Sequence, residues 1–374
     1  MLACLRADPP GDPAALLRVM QAAPSAQVIA LAQDHRVGGL LAEALRGVPD
    51  LDPNLRTALQ QQHSHASREH LRGLWELSNL VPVLESTGAA WAAVKGPVIA
   101  ETAYQGLGQR GYLDVDLLVE PARYRGVLDA LLASGARLLD RNWRMLQTEL
   151  RGQLHLLSAA GTPIDLHWDL LNENRGCMSI DTDAILGRRT QTRVGGSTVW
   201  TLDATDTLIH LAVHAAISGG DRLIWLKDLE GSIARRPPSW DALVHRARSW
   251  HVTTPTGWIL LRARRYLNAD VPVPVLVELL GRRMVAVQLV DRLSSPVSIP
   301  GHRTPARIFV RAVGHGARGG ASLLMRRAFN RLNRNYPQAS SPFTPSGDER
   351  DRDAFFAAVE RGGRSSRHSP AGRR

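Results

Sequence analysis

Two short segments alternate polar and apolar residues and carry acidic side chains at the polar positions. The first, YLDVDLLV, covers residues 112–119, and the second, PIDLHWDL, covers residues 163–170. An alternation of period two predicts a β-strand with one buried face, so the polar side chains of each segment share the opposite face. The residues at these polar positions are Asp114, Asp116, Asp165, His167 and Asp169.

Carboxylates this close together repel each other unless a cation lies between them. Hard cations such as Mg²⁺ use a few carboxylates together with the phosphates of a substrate. If the two strands are neighbours, Asp165 joins Asp114 and Asp116 around two metal ions, an arrangement that serves in-line displacement at a phosphate. Two acids spaced two apart also occur at ordinary strand ends, so the third acid carries the prediction.

Lys95 stands out because the chain has 46 basic Lys and Arg residues, of which only Lys95 and Lys227 are lysines. It ends a short apolar run and is followed by Gly96 and by Pro97, which suits the first position of a helix. Such a turn offers backbone N–H groups to phosphate, and glycine permits a close approach. A lysine adds a compact, flexible charge where the planar arginine fork fits less well. We therefore predict that Lys95 and Gly96 bind phosphates.

The rest of the pattern predicts an α+β protein. Helical spacing precedes the strands, a β-hairpin turning at Gly161 joins the second acidic segment to GQLHLL, and helical spacing returns after residue 202. From Pro337 onward Ser, Pro, Gly and Arg dominate, apart from the short segment DAFFAAVE at residues 353–360, and we expect little fixed structure there. The predicted regions are N-terminal helices at 1–88, a small mixed-sheet core at 89–202, a helical domain at 203–336 and a tail at 337–374.

The formal charge of +11 would suggest a nucleic-acid partner if it were spread over the whole chain. Residues 303–374 contain 15 Arg against 5 acids, so the preceding part is nearly neutral, and nucleic acid is not the favoured partner. Cys4 and Cys177 lie far apart without CxxC spacing, so we expect oxygen ligands for any metal. No apolar run suggests a signal peptide or a membrane span, which predicts a cytoplasmic protein.

The order of these segments resembles a known family. VKG, AETAY, R-x3-DVDLLV and IDLHW, followed by LIHLAVHAA and RLIWLKDLEG, resemble the bacterial, largely uncharacterised nucleotidyltransferases of the DNA polymerase β superfamily. The resemblance covers about residues 70–250. It implies a nucleotidyltransferase core in which Asp114 and Asp116 bind Mg²⁺ or Mn²⁺ and Asp165 is the third acid. It also implies that the substrate is an NTP, whose NMP group moves to a hydroxyl-type acceptor with release of pyrophosphate.

One departure from the superfamily concerns the phosphate-binding turn. The superfamily has Gly-Ser closer to the first acid, whereas this chain has Lys-Gly, with seventeen residues between Gly96 and Asp114. The departure affects the choice of nucleotide more than the metal site. The acceptor is a small molecule, a peptide, a protein or RNA.

Several further polar residues have two interpretations each. Arg110 clamps a triphosphate or pairs with an acid, and Lys227, next to Asp228, reaches the triphosphate or forms a salt bridge. His167 orients an acid, contacts the acceptor or is structural. His214 lies four residues after His210 on one helix face, which favours packing or cleft lining.

A second hypothesis is an inactive nucleotidyltransferase-like scaffold that binds a protein or RNA partner. Its motivation is the amphipathic, arginine-rich segment ASLLMRRAFNRLNRNY at residues 321–336. Clustered carboxylates would favour the enzyme, and carboxylates pointing apart would favour the scaffold.

Overall fold

The computed structural model describes residues 1–6, 13–171, 178–293 and 341–365. The chain forms two compact units. We call one the helical unit; it comprises the described residues of Met1–Arg72, Ile99–Tyr112 and Ala204–Leu323. We call the other the sheet unit; it comprises the described residues of Gly73–Val98, Leu113–Asp203 and Leu324–Arg374. Cys177 and the arginine-rich segment at 321–336 lie outside the described residues.

The sheet unit is built on one mixed sheet, which has seven strands among the described residues. The strands are β1 (Trp91–Ala93), β2 (Val115–Val119), β3 (Arg137–Leu138), β4 (Gln153–Leu157), β5 (Pro163–His167), β6 (Thr190–Val194) and β7 (Ser197–Thr201). Their order across the sheet is β3-β4-β5-β2-β1-β7-β6. The pairs β2 with β5 and β1 with β7 are parallel, whereas the other neighbours are antiparallel. The predicted α+β class is confirmed.

The predicted hairpin at Gly161 is confirmed. Strands β4 and β5 pair antiparallel on either side of the turn, and Gly161 has a φ of +77°, a conformation that glycine adopts without strain. The Ser158 hydroxyl accepts the N–H of Thr162 across the turn at 3.1 Å. The short strand β3 and the hairpin of β6 and β7 had no specific prediction.

Four helices of the sheet unit pack against the apolar face of the sheet. They are the later part of α5 (Pro53–Ser86), α7 (Tyr124–Ala133), α8 (Trp143–Glu149) and α16 (Glu349–Ser365). The described part of the unit also contains α9 (Thr182–Gly187) and a 3-10 turn (Pro121–Arg123). The predicted helix that follows Pro121 and stops at Gly135 is confirmed. Alternate strand residues and one face each of α5, α7 and α16 form a single core. This packing leaves the opposite face of the central strands for polar side chains.

Helix α16 corrects the prediction that the chain beyond residue 337 has little fixed structure. That prediction is wrong for Glu349–Ser365, where Phe355, Phe356 and Val359 are buried in the core of the sheet unit. The two phenylalanine rings lie within about 6 Å of the Trp143 ring of α8. A short apolar stripe at helical spacing therefore anchors this part of the chain despite its polar composition.

The helical unit contains the remaining described helices. They are α1 (Leu2–Leu5), α2 (Pro13–Gln21), α3 (Ser25–Asp34), α4 (Gly38–Ala44), the first part of α5, α6 (Pro97–Ala103, of which residues 99–103 belong here), α10 (Ala204–Ile217), α11 (Leu223–Arg235), α12 (Trp240–Ser249), α13 (Thr253–Leu267), α14 (Val273–Leu280), a 3-10 turn (Gly281–Arg283) and α15 (Met284–Leu293). Helix α13 packs against α10, α11 and α14. Among the described helices, none is by itself both long and apolar enough to cross a bilayer; α2 and α3 pass that test only as a pair bent by 94°.

Candidate functional site

The candidate site lies on the polar face of the sheet, where β2 and β5 run side by side. The strands are parallel, and their register places Asp116 opposite Asp165. The intervening residues of both strands are buried in the core, so the two aspartates project from the other face. These core residues are Val115, Leu117, Val119, Ile164 and Leu166. The condition that the two acidic strands are neighbours is therefore met.

His167 completes a compact group with the two aspartates. Asp116, Asp165 and His167 offer ligand atoms that all lie within 4.8 Å of one another. His167 Nε2 is 3.2 Å from Asp116 Oδ1, and because an ionised carboxylate only accepts, this nitrogen carries the proton. The buried Nδ1 atom has no hydrogen-bond partner among the described residues. Two carboxylates fit a divalent cation, and a cation that displaces the Nε2 proton would gain the imidazole as a third ligand.

This group differs in one member from the set of three aspartates that the sequence predicted. Asp114 directly precedes β2 and is partly exposed. In the part of the chain that the structure describes, it is not a member of the 4.8 Å group. Its negative charge nevertheless helps to raise the pKa of Lys95, so it contributes to the field of the site. A direct metal-binding role for Asp114 stays a prediction.

Lys95 reaches the same carboxylates from β1. The Val94 N–H donates to the Asp116 carbonyl oxygen at 3.1 Å, which fixes the backbone before the turn. Gly96 has a φ of +51°, in the left-handed region that favours glycine. The ammonium nitrogen of Lys95 lies 2.9 Å from Asp116 Oδ1, with only 14% of the side chain exposed.

The charge state of Lys95 follows from its surroundings. Burial lowers the pKa of Lys95, but the negative charges of the nearby aspartates, Asp116 above all, outweigh burial and raise that pKa above its ordinary value. Lys95 is therefore a charged group and the counter-ion of Asp116.

The two central aspartates have opposite pKa shifts. Burial alone would raise the pKa of Asp116, but the Lys95 charge and the His167 hydrogen bond hold that pKa far below its usual range. Burial raises the pKa of Asp165, and the negative charge of Asp116 raises it further. Asp116 is thus a permanent anion, whereas Asp165 is the carboxylate with the higher proton affinity. Two carboxylates whose pKa values are shifted in opposite directions can take different roles in one reaction.

Strand β4 adds polar residues that the sequence reasoning missed. Gln153 Nε2 donates to Asp165 Oδ2 at 2.8 Å, and His155 lies directly opposite Asp165 in the strand pairing. Leu154 and Leu156 are buried in the core, so the alternation of GQLHLL was the signal that placed Gln153 and His155 on the polar face.

The remaining predicted residues belong to the helical unit. Arg110 donates from Nε and Nη2 to the two oxygens of the Asp228 carboxylate, at 2.7 and 3.0 Å. The Tyr104 hydroxyl donates to the same carboxylate at 2.6 Å. Lys227 forms an ion pair with Glu230 at 2.6 Å. For Arg110 and Lys227, the structure thus shows the acid pairing that was one of the two interpretations. Their predicted contribution to nucleotide binding stays a prediction.

His214 also belongs to the helical unit. It lies 6.2 Å from the His210 ring and 6.0 Å, edge to face, from the Trp225 ring. These ring contacts agree with the packing interpretation, and a cleft-lining role for His214 stays a prediction.

The fold and a family comparison together define the class of this protein as nucleotidyltransferase. The chain belongs to a family described as "Uncharacterised nucleotidyltransferase", whose model matches residues 22–268. The matched residues include Asp116, Asp165 and His167 as well as Lys95 and Gly96. A search of curated proteins and a search of solved structures found no significant match.

Proposed function

We propose that this enzyme transfers a nucleoside monophosphate group from an NTP to a hydroxyl-type acceptor in a reaction that depends on Mg²⁺ or Mn²⁺. The acceptor oxygen forms a bond to the α-phosphorus, the bond from that phosphorus to the bridging oxygen breaks, and pyrophosphate leaves. The observation that carries the proposal is the placement of Asp116 opposite Asp165 on adjacent strands, with His167 in the same 4.8 Å group.

The proposed roles follow from the charges of the site. Asp116, Asp165 and His167 hold the cation, and Asp114 supplies a further carboxylate next to β2. A bound divalent cation supplies neutralisation of phosphate charge and acidifies the acceptor hydroxyl. Asp165 helps to activate the acceptor by accepting the hydroxyl proton.

Lys95 places its ammonium nitrogen 2.9 Å from Asp116 Oδ1. We propose that its ammonium group also meets phosphate oxygens of the NTP and that the turn at Gly96 lets the backbone approach them. Arg110 and Lys227 are proposed to assist nucleotide binding, and His214 and Asp228 to contact the acceptor or line the cleft.

Further parts of the proposal concern the family and the organisation of the chain. We place the family in the DNA polymerase β superfamily, on the order of its acidic motifs. We also propose that residues 89–202 hold the catalytic core, that residues 1–88 and 203–336 flank it as helical regions, and that the protein acts in the cytoplasm. The alternative of an inactive scaffold rests on residues 321–336, which lie outside the described residues.

Transfer of label tests the proposal directly. The purified chain is incubated with each of the four α-labelled NTPs, with Mg²⁺ or Mn²⁺, and with fractionated cell extract as a source of acceptors. The expected result is label in an acceptor together with release of pyrophosphate, whereas the same NTP labelled on the γ-phosphate leaves no label in the acceptor. Asp116→Asn and Asp165→Asn are each expected to slow transfer by at least about 100-fold.

A matched control is Asp353→Asn in α16. Asp353 is 61% exposed and pairs with Arg125 on the surface, so the same chemical change there should leave transfer intact. Transfer at the wild-type rate by Asp116→Asn would contradict the assignment. Transfer of label from the γ-phosphate to the acceptor would show that the enzyme transfers a phosphoryl group and not a nucleotidyl group.

A further inference from the structure

Three polar side chains next to Asp165 form a connected hydrogen-bond chain. Gln153 and His155 are alternate residues of β4, and His155 lies opposite Asp165 in the antiparallel pairing. Gln153 is 8% exposed, and the Asp140 side chain is fully buried. The Phe343 ring packs edge-on against His155, with ring centres 5.4 Å apart. These neighbours leave the three side chains little rotational freedom.

The distances around Gln153 determine which atoms carry protons. Its amide nitrogen is 2.8 Å from Asp165 Oδ2 and 3.0 Å from His155 Nε2. The amide nitrogen has two hydrogens and no lone pair to accept with, whereas an ionised carboxylate only accepts. One hydrogen therefore goes to Asp165 and the other to His155, whose Nε2 atom must be unprotonated.

The proton of His155 is then on Nδ1, and this atom lies 3.1 and 3.2 Å from the two oxygens of Asp140. Asp140 also accepts the backbone N–H of His155. Each donor in the chain thus has an acceptor: His155 donates to Asp140, and Gln153 donates to both His155 and Asp165. The orientation of the Gln153 amide is fixed from both sides, because an amide oxygen in the position of its nitrogen would face the Asp165 carboxylate.

We propose that Asp140, His155 and Gln153 act as a positioning relay that holds the Asp165 carboxylate in one orientation, with Oδ2 bound to Gln153, so that Oδ1 is the oxygen that would bind a cation. The catalytic importance of the relay rests on the function proposed above. Its effect on cation binding does not depend on nucleotidyl transfer. Partners that orient metal ligands from behind typically contribute 10- to 100-fold to metal affinity.

The first test measures the wild-type protein without nucleotide. Protein labelled with ¹⁵N in its histidines is studied by NMR, and His155 is assigned from the signal that disappears in His155→Asn. Burial lowers the pKa of His155, but the hydrogen bond and charge of Asp140 outweigh burial and raise that pKa above its ordinary value, so the spectrum is recorded in mildly alkaline solution. There the relay predicts the Nδ1–H tautomer with an unprotonated Nε2. A His155 ring that carries its proton on Nε2 alone, or one that exchanges freely between both tautomers, overturns the proposal.

The second test measures the dissociation constant for Mn²⁺ by electron paramagnetic resonance, with Mn²⁺ alone as the probe. Gln153→Leu keeps a similar volume and removes both donors, and we expect its Mn²⁺ affinity to fall at least about 10-fold. Gln153→Glu places acceptors opposite acceptors and should weaken binding as well. Gln191→Leu, at an exposed position on β6 of the same sheet, is the matched control and should bind as the wild type does.

The outcomes separate the relay from the proposed reaction. Mn²⁺ affinity within twofold of wild type in a folded Gln153→Leu, while Asp165→Asn loses binding, rejects the relay. If no NTP label is ever transferred but tautomer and Mn²⁺ affinity behave as expected, the relay stands and the proposed reaction fails. If Gln153→Leu does not fold, the tautomer measurement on the wild-type protein decides.

Discussion

Replacing Lys95 by Met removes the positive charge next to Asp116 and leaves most of the volume of the side chain. The side chain of Asp116 is 3% exposed, and its two partners described above are Lys95 and His167. In Lys95→Met only the hydrogen bond from His167 remains. Breaking a buried ion pair by removing one member typically costs 3–5 kcal/mol, because the other charge is left uncompensated. Since His167 still donates to Asp116, we expect a loss near the lower end, about 3 kcal/mol.

The pH dependence of this loss has a definite sign. The folded-state pKa of Asp116 is lowered, so its stabilisation is present above the unfolded pKa of about 4 and is lost as the pH falls through the folded value. The pKa of Lys95 is raised, so its stabilisation is present below about pH 10 and is lost as the pH rises through the folded value. The gap between wild type and Lys95→Met should therefore be widest between about pH 5 and pH 9 and narrow in acid.

The assay is urea unfolding followed by far-ultraviolet circular dichroism, with a chelator present so that no divalent cation binds the carboxylates. Measurements at about pH 7 and pH 3.5 test the sign. Adding Asp116→Asn to Lys95→Met should restore at least half of the lost stability, because the orphaned charge is then gone. A loss below about 1 kcal/mol at pH 7, or a double variant that is no more stable than Lys95→Met, would refute the reasoning.

Three other predictions concern the packing of the chain. Phe356→Ala, at a position 2% exposed in α16, should lower the free energy of unfolding by about 3–5 kcal/mol in urea titrations, and an effect under 1 kcal/mol would contradict the buried placement of this helix. Gly96→Ala should cost about 1–2 kcal/mol in the same titrations because φ is +51°, and a neutral or stabilising effect would contradict that backbone conformation. Arg110→Met should lower the thermal midpoint in calorimetry more than Arg235→Met at the end of α11, since only Arg110 leaves a buried Asp228 without its bidentate partner; equal shifts would contradict this.

The strands that build the site could be predicted because their side chains obey a simple geometric rule. Alternation with period two put Val115 and Leu117 on one face and Asp116 on the other, and the same rule placed Asp165. The turn at Gly161 was predictable from local chemistry. The parallel pairing of two strands separated by some forty residues was a conditional prediction, since long-range pairing depends on the whole fold.

The sequence does not give the distances that bring Asp116, Asp165 and His167 together and leave Asp114 outside their group. Asp114 and Asp116 look equivalent as a pair, but Asp114 precedes the strand whereas Asp116 lies within it. His167 joins the group because it follows Asp165 on the same strand face, and this was one of several roles considered for it. Gln153 and His155 were not predicted because the sequence does not give the side-chain distances across the pair of β4 and β5.

Helix α16 was missed for a different reason. Its sequence is polar and arginine-rich, and composition alone favours disorder for such a segment. Phe355, Phe356 and Val359 find an apolar surface made by other elements, including Trp143, and that surface exists only in the folded protein. Tertiary burial thus overrides a weak local signal.

We propose that Asp116 and Asp165 hold a divalent cation between adjacent strands. The most direct measurement is a crystal structure of the full chain with Mn²⁺ and a non-hydrolysable NTP analogue, with data collected at the manganese absorption edge. We expect an anomalous peak from a manganese ion bound to oxygens of both aspartates, with phosphate oxygens of the analogue next to Lys95. A peak located elsewhere, with the two carboxylates unliganded and Lys95 still paired to Asp116, would contradict it.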